Sequence, residues 1–299
     1  MKRLSFIVVL LVIATGAFAQ FVQSNATQTN TAANTNSGNL FSKMTKDNYS
    51  RFYIGYNPVS VNWKEYGSML KKALPMKNGL SLGYMHANNI VKSLPLYVEY
   101  GANLVWMYGN SNEKSSVDSY SISVTTENKF NMFSVNVPVN LAFRLSFANN
   151  DFSVTPYLGL NFRINLAGTR KETATAKAEY DGESYKATAI VKYKLFSSDE
   201  PISADELLNS DKKDFVNNDA WEIEESENEI TMKATTGMGD FAFKRFQVGF
   251  NVGVAVNYKK LHLGFGYVAD FNRIVNSDTD EYEFACRLGV PTISLGVAF

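Results

Sequence analysis

The sequence predicts an all-β fold, namely a transmembrane antiparallel up-and-down β-barrel of eight strands with a long extracellular loop insertion. Three observations lead to this prediction. Apolar and polar residues alternate over long segments, short connections alternate with long ones, and no run of 18 apolar residues follows position 20. Because only helices and closed barrels satisfy their backbone hydrogen bonds in lipid, a chain without an apolar helix could cross a membrane only with strands.

The clearest pair of strands lies at positions 246–258 and 261–271. Each presents one apolar face and one face rich in Gly and Asn, as expected when successive side chains point to opposite sides. Only Lys259 and Lys260 separate the two strands, and their flanking residues Tyr258 and Leu261 both belong to the apolar face. A two-residue hairpin requires this agreement, so the two assignments support each other.

Five further segments and the end of the chain show the same period. They are positions 52–56, 80–84, 94–108, 133–147 and 152–166, followed by a last strand at 282–299. In the last strand the apolar phase runs through Cys286 and Leu288, then changes to Ile293 and Leu295. We expect a β-bulge at Pro291, where an extra residue shifts the parity and a missing N–H is tolerated.

The polar faces distinguish a barrel from a soluble sandwich. A sandwich exposes that face to water and carries many Lys and Glu, whereas here Gly, Asn, Ser and Thr dominate. The sparse inward charges have mixed signs and would form a structural ion-pair network in the lumen; a narrow anion path along the arginines is the alternative. The predicted lumen network is Glu99, Arg144, Arg163, Arg245, Asp270, Glu283 and Arg287.

The connections predict the orientation of the barrel. Short turns follow the second, fourth and sixth strands, and the longer connections are 61–78, 109–130, 169–240 and 272–281. Because bacterial barrels have short periplasmic turns and long extracellular loops, both termini are expected in the periplasm. Outward aromatic residues then gather at two levels, as interfacial girdles do.

The first residues read as a secretory signal, and a flexible segment follows. Lys2 and Arg3 precede an apolar run, and Ala17 and Ala19 are placed for cleavage, so residues 1–19 are predicted to be a signal peptide. Residues 20–48 form a predicted Asn- and Thr-rich periplasmic leader, and residues 49–299 the barrel. The only cysteine, Cys286, has no partner for an intramolecular disulfide.

The charge of the 299 residues is balanced, with 29 basic and 29 acidic side chains, which gives no argument for nucleic acid. The insertion at 169–240 differs, because it holds 9 Lys and Arg against 17 Asp and Glu. Alternation at 185–195 predicts that strands continue, or a hairpin forms, above the membrane. If positions 171–196 crossed the lipid instead, the barrel would have ten strands. Positions 203–208 resemble a capped helical turn.

The sequence resembles the small eight-stranded, porin-family outer-membrane β-barrel proteins of Gram-negative bacteria. The resemblance rests on the signal peptide, on the segments around VPVNLAFRLSF and TPYLGLNFRINL, and on the terminal ISLGVAF. It implies insertion among outer-membrane lipids by the barrel assembly machinery. It also implies an assembly signal in the final strand, formed by Ile293, Leu295, Val297 and Phe299.

Three functions follow as hypotheses, since fold does not fix function. The first is a non-enzymatic structural or surface-interaction protein whose extracellular loops meet a ligand or host surface. The second is a narrow porin for small solutes, and the third an enzyme acting on lipid or peptide. His86 and His262 are the only histidines, and we expect interfacial or lumen positions for them. The acidic run at 222–229 is expected to be a solvated surface, and no cofactor or metal motif appears.

Overall fold

The computed structural model describes residues 47–64, 74–117, 122–147, 151–180, 183–204, 208, 221–278 and 283–299. The predicted signal peptide and residues 20–46 of the predicted leader lie outside these ranges. The strands are β1 Tyr49–Tyr56, β2 Ser60–Lys64, β3 Asn78–Asn89, β4 Leu96–Val117, β5 Ile122–Phe143, β6 Leu145–Phe147, β7 Phe152–Tyr180, β8 Glu183–Lys194, β9 Trp221–Ser226, β10 Glu229–Thr236, β11 Phe246–Tyr258, β12 Leu261–Asp270, β13 Val275–Asp278 and β14 Glu283–Ala298.

Eight antiparallel strands close into a ring, in the order β1, β3, β4, β5, β7, β11, β12 and β14, with β14 pairing back to β1. The predicted eight-stranded barrel is therefore confirmed. The ten-stranded alternative is wrong, because β7 pairs directly with β11 and leaves no place for β8 in the ring. Within the described ranges, no helix has the length and apolar character that a membrane crossing requires.

The register defines the tilt of the strands. Starting at Val256 in β11 and following the paired residues once around the ring leads back to Phe246 in the same strand, a shift of ten residues. Such a shift over eight strands corresponds to a tilt of about 40°. All residues on this path are apolar: Val256, Leu263, Leu295, Ile54, Leu82, Leu104, Val135, Ile164 and Phe246. The adjacent inward path is small or polar almost throughout: Ala255, Gly264, Ser294, Gly55, Ser81, Val105, Ser134 and Asn165.

The end of the chain closes the ring. The Phe299 carbonyl accepts a hydrogen bond from the Ser50 N–H at 2.7 Å, and the Phe299 N–H donates to the Ser50 carbonyl at 2.9 Å. Three short connections lie at this end of the barrel, before β4, before β7 and between β11 and β12. We call it the short-turn end, and the opposite end the long-connection end.

The expected bulge at Pro291 is wrong. Residues Leu261–Ala269 of β12 pair with β14 in one unbroken register from Val297 to Gly289. The apolar residues Cys286, Leu288 and Val290 are buried and point into the lumen, because the lumen is apolar near the long-connection end. The phase change occurs instead in β7, where Phe133 pairs with Ala167 but Ser134 pairs with Asn165, so that Leu166 is the extra residue.

Beyond that bulge, β4, β5 and β7 continue past the barrel and pair with additional strands. We call this sheet the extension; its order is β4, β5, β7, β8, β10 and β9, with β8 and β10 parallel. Of the two alternatives expected at 185–195, the structure has the hairpin: β7 continues past the bulge and pairs with β8, whereas β11 begins only at Phe246. Residues 109–117 and 122–130, expected as loop, are strand residues instead. Ala204 and Leu208 are helical, and residues 205–207 of the predicted helical turn lie outside the described ranges.

Candidate functional site: the closed lumen

A buried ion pair crosses the lumen near the short-turn end. The Arg51 guanidinium donates two hydrogen bonds to the carboxylate of Glu99, at 2.6 and 2.8 Å, and Tyr49 Oη donates a third at 2.5 Å. The side chain of Glu99 is fully buried, and that of Arg51 is 5% exposed. Because a charge buried without a partner costs several kcal/mol, each of these two groups depends on the other.

Aromatic rings fill the space around this pair. The Arg144 guanidinium lies 4.6 Å from the ring centre of Tyr49, and Arg51 lies 5.8 Å from that of Tyr157. Tyr49 also packs edge-on against the buried ring of Tyr97. Cations over ring faces are stabilised by the ring quadrupole, so these side chains fix one another. The short-turn end of the lumen is thereby closed.

A second ion pair lies nearer the long-connection end. Arg163 donates to Asp270 at 2.8 Å, and its Nε donates to the Asn136 side chain at 3.1 Å. Both charged side chains are essentially inaccessible to solvent, with exposed fractions of 1% and 0%. Beside them, Asn165 bonds to Ser134 at 2.8 Å and to Gln247 at 2.5 Å. Arg163 and one oxygen of Asp270 are thus embedded in a hydrogen-bond network, whereas Asp270 Oδ1 has no hydrogen-bond partner among the described residues.

A small polar cavity separates the two ion pairs. Its volume is about 60 Å³, enough for a few water molecules. The Asn57 amide, the Ser81 hydroxyl and the Asn161 amide line it, and each has a buried polar atom with no hydrogen-bond partner among the described residues. The cavity is therefore a hydration site in chemical character, enclosed within the barrel.

Above the second ion pair, apolar side chains close the long-connection end. Met107 of β4, Phe130 of β5 and Leu288 of β14 meet Leu195, which follows β8, and Phe243, which precedes β11. All five are at most 4% exposed. We call this group the cap; its other buried members are Leu74, Met76, Val105, Met132, Ala174, Ala189, Val191, Tyr193, Ala204, Met232, Ala234, Met238, Ile274, Val275, Cys286 and Val290. The lumen is therefore obstructed at three levels, by two ion pairs and the cap.

Glycines make room for the tyrosines of the lumen. A Cβ atom at Gly253 would lie 2.4 Å from Tyr157 Oη, and one at Gly83 would lie 2.5 Å from Cζ of Tyr53. A side chain at either position would displace a ring that packs inside a closed barrel. The abundance of Gly on the polar faces therefore reflects a filled lumen, with large and small residues alternating across it.

Only some of the residues predicted to lie in the lumen are found there. Glu99, Arg163 and Asp270 lie buried in the lumen, and half-buried Arg144 lies over Tyr49. Arg245 is exposed, where it stacks on Phe196 and donates to the Leu166 carbonyl at 3.0 Å. Placing it inside the lumen was wrong, because the strand ends there.

Two other assignments fell on β14. Arg287 is exposed and has the outward parity, since β14 does not bulge at Pro291; its predicted lumen position was wrong. The side chain of Glu283 lies outside what the structure describes. Sequence reasoning missed Arg51, which precedes the first predicted strand by one residue. Extending the alternation of Tyr53 and Gly55 backward would have placed it inside the lumen.

The two histidines occupy opposite faces of the wall. His262 is buried in the lumen, where its Nδ1 lies 2.9 Å from Asn257 Oδ1. His86 is half-buried at the short-turn end, on the outward parity of β3. There its Nδ1 lies 2.8 Å from Ser50 Oγ and its Nε2 lies 3.1 Å from Asn88 Oδ1. One histidine thus has a lumen position and the other a position at the outer rim.

The outer wall of the barrel is apolar. Among its side chains, Ile54 is 61% exposed, Leu104 57%, Leu158 59% and Leu295 60%. We call this outward-facing apolar surface of the eight barrel strands the apolar belt. A protein in water rarely exposes a continuous apolar surface of this extent, so the apolar belt fits a lipid environment. The four predicted assembly-signal residues, Ile293, Leu295, Val297 and Phe299, all lie exposed on this belt.

The acidic run lies on the β9–β10 hairpin, at the edge of the extension. Glu224 accepts a hydrogen bond from Lys233 at 2.5 Å, and Glu229 one from Lys186 at 2.6 Å. The hydrogen bond to Glu224 raises the pKa of the Lys233 ammonium above its ordinary value. Within the described ranges, no three His, Cys, Asp or Glu residues converge as metal ligands would.

Comparison with known proteins gives only distant likenesses. No family model matches the chain, and no curated protein does. Ail, the attachment invasion locus protein of Yersinia pestis, solved with the heparin analogue sucrose octasulfate, is 13% identical. The match covers 85% of this chain and 99% of Ail, with a TM-score of 0.29. The translocator domain of the autotransporter NalP from Neisseria meningitidis is 9% identical, over 94% of this chain and 96% of that domain, with a TM-score of 0.19. At these scores, the architecture rests on the strand pairing alone.

Proposed function

We propose that this chain is an outer-membrane protein with a closed lumen that acts as a non-enzymatic structural or surface-interaction protein. The observation that carries the proposal is the obstruction of the lumen at three levels. Each fully buried charge of the two ion pairs already has a partner of opposite sign, so neither pair offers a free charge to a passing ion. The cap then presents an apolar barrier above them.

Residence in a membrane is supported by the apolar belt. The register path from Val256 to Phe246 encircles the barrel with apolar side chains, many of them largely exposed. The alternation of connection lengths supports an orientation with the short turns, the start of β1 and the end of β14 in the periplasm. The extension then lies outside the cell, where it would meet a ligand or host surface.

The role at the surface is supported by the extension itself. It is a sheet that the barrel does not need for closure, and it ends in the acidic strand β9, which among the described strands pairs only with β10. Binding functions concentrate on segments that a rigid scaffold holds outside its core, and here the barrel is the scaffold. We therefore assign the interaction to the extension rather than to the lumen.

The test is a conductance measurement on the refolded full-length protein in planar bilayers. Slower migration of the boiled than of the unboiled protein on SDS gels first establishes that the barrel has folded. We expect no steady openings for the natural sequence. A variant with Phe130→Ala and Phe243→Ala in the cap, but both ion pairs intact, is the matched control and should also remain closed. Steady openings of the natural sequence would contradict the proposal and favour a narrow solute channel.

A second candidate function rests on one contact. Ser50, His86 and Asn88 form a hydrogen-bonded series on the outer rim, and a serine beside a histidine is the arrangement that activates a nucleophile. Against it, the Ser50 N–H already donates to Phe299, so it is not available to stabilise an oxyanion. The candidate activity is hydrolysis of a lipid ester, because these residues lie on the outer rim of the barrel.

This candidate is tested by incubating the refolded protein with phospholipid vesicles and measuring fatty-acid release. We expect no release above that of empty vesicles. Release that is lost on Ser50→Ala and His86→Asn, but kept on His262→Asn, would establish the enzyme in place of the interaction protein. Release that survives all three changes would indicate a contaminating lipase and leave the non-enzymatic proposal standing.

A further inference from the structure

Lysines face one another across adjacent strands on the outer side of the extension. Register pairs Lys129 of β5 with Lys171 of β7, and Lys171 with Lys192 of β8. Lys194 lies on the same face, opposite Thr169. All four side chains are exposed. We call these residues, Lys129, Lys171, Lys192 and Lys194, the lysine face.

This arrangement is unfavourable for the isolated sheet. Directly opposite residues have Cβ atoms about 5 Å apart, and like charges at that distance destabilise a strand pair. Lys129 has a weak local partner in Glu127 at 3.0 Å, but Lys171, Lys192 and Lys194 form no ion pair within the described part of the chain. A surface that concentrates one sign of charge in this way is suited to an anionic ligand.

The lysine face continues the lipid-facing wall. Phe133 and Trp106 stack on each other on the outer wall, where they belong to the aromatic girdle expected nearer the long-connection end. Lys129 lies four residues beyond Phe133 on the same side of β5. Four residues span about 13 Å along the strand, or about 10 Å along the barrel axis at the tilt of the strands. The headgroup zone extends roughly 5–8 Å beyond the hydrocarbon core on each side. Flexible lysine stems therefore bring their ammonium groups to the level of the lipid phosphates.

The acidic residues lie elsewhere on the extension. The acidic strand β9 is separated from β7 by β8 and β10, and Glu222 and Glu224 face the β10 residues Lys233 and Thr231. The positive charge of β5, β7 and β8 is thus not neutralised from that edge. The separation explains how a segment with an overall acidic composition presents a basic surface to the membrane.

We propose that the lysine face binds the phosphate groups of anionic lipids in the leaflet that surrounds the long-connection end. This inference rests on the proposed residence in a membrane. A lipid is the assigned ligand, rather than a soluble polyanion, because the lysine face is continuous with the apolar belt and lies at phosphate height. Each lysine near an anionic surface contributes a factor of about five in affinity.

Trp106 supplies a local probe, because it is 37% exposed on the outer wall directly below the lysine face. The full-length chain carrying Trp63→Phe and Trp221→Phe is refolded into vesicles of brominated phosphatidylcholine, which quenches the remaining tryptophan. Unbrominated diphosphoryl lipid A is then added, and the recovery of fluorescence gives its affinity relative to phosphatidylcholine. We expect a preference of at least tenfold for lipid A.

Two triple variants separate the possible outcomes. Lys129→Gln, Lys171→Gln and Lys192→Gln together should reduce the preference at least fivefold. The control, Lys114→Gln, Lys177→Gln and Lys186→Gln, removes the same charge farther from the girdle and should change it less than twofold. Equal losses in both variants, or no preference in the natural sequence, would overturn the assignment.

The membrane proposal fails separately from this one. Absence of any quenching by brominated lipid, before lipid A is added, would show that the barrel is not inserted. The last measurement is the binding of a soluble heparin oligosaccharide to the protein in vesicles without lipid A. If heparin binds, if the lysine-face variant weakens that binding more than the control variant does, and if the natural sequence shows no preference for lipid A, the lysine face serves a soluble polyanion and the lipid assignment is wrong.

Discussion

The barrel and the extension share strands but have opposite polarity. In the barrel part of β5, Phe133 and Val135 face outward while Ser134 and Asn136 face inward; in its extension part, Lys129 faces outward while Phe130 faces inward. The change occurs next to the bulge in β7. The side chains of one strand thus match two different surroundings. In the barrel part, apolar residues face lipid and polar residues face the lumen; in the extension part, polar residues face water and apolar residues face the cap.

The largest expected effect tests the interior of the barrel. Glu99→Leu leaves the Arg51 guanidinium buried without a partner, so the free energy of unfolding should fall by about 3–5 kcal/mol. It is measured by guanidinium unfolding of the refolded protein in vesicles. The double variant Arg51→Met and Glu99→Leu removes both charges and should recover most of the loss. A change below about 1 kcal/mol for Glu99→Leu would show that the pair is hydrated rather than buried.

The next effect compares the two outer surfaces along β4. Leu104→Arg introduces a charge into the apolar belt and should lower the free energy of unfolding by about 2–4 kcal/mol in vesicles. Asn112→Arg, on the exposed extension part of the same strand, should change it by less than about 0.5 kcal/mol. Equal effects of the two substitutions would mean that lipid does not surround the apolar belt. The proposed difference between the outer surfaces of the barrel and of the extension would then be wrong.

A third substitution tests whether the extension is stabilised independently of the barrel. Phe243 is 4% exposed and contacts the rings of Phe130 and Phe196, so Phe243→Ala should weaken the cap by about 3 kcal/mol. We expect faster hydrogen exchange in β8 and β10, with unchanged exchange in β11 and β12. Loss of the heat-dependent gel shift would instead show that barrel and cap fold as one unit.

The smallest effect concerns the surface of the extension. Lys186→Gln removes an ion pair with Glu229 in which both side chains are at least 40% exposed. Such pairs contribute between about 0 and 1 kcal/mol, so the free energy of unfolding should change by less than about 0.5 kcal/mol. The measurement is the same denaturant titration. A loss above 1 kcal/mol would indicate that the parallel pair of β8 and β10 depends on this contact.

Sequence reasoning recovered the membrane-spanning part of the fold because lipid enforces one phase of alternation. The strands at 246–258 and 261–271 needed only that pattern and a two-residue turn. It failed where the pattern depends on another segment. In β14, Cys286, Leu288 and Val290 are apolar because the cap covers them from above, and the alternation cannot distinguish an apolar lumen from lipid.

The candidate site shows the same limit. Glu99, Arg163 and Asp270 could be assigned to the lumen from parity alone. Their partners could not, because Arg51 lies 48 residues from Glu99 and Asp270 lies 107 residues from Arg163. The lysine face is a further case, since Lys129, Lys171 and Lys192 become neighbours only through the register of three strands.

What the amino-acid sequence determined by itself was the closed architecture. A sequence with long apolar alternation and no run of 18 apolar residues after position 20 has one way to satisfy its backbone in lipid, which is a closed barrel. The tertiary structure alone decided that the lumen is obstructed, that the bulge lies in β7 and that lysines cluster above the apolar belt. Each of these depends on which residues the tilt and register of the strands bring together. The alternation within one strand does not specify which residues of the neighbouring strands it will pair with.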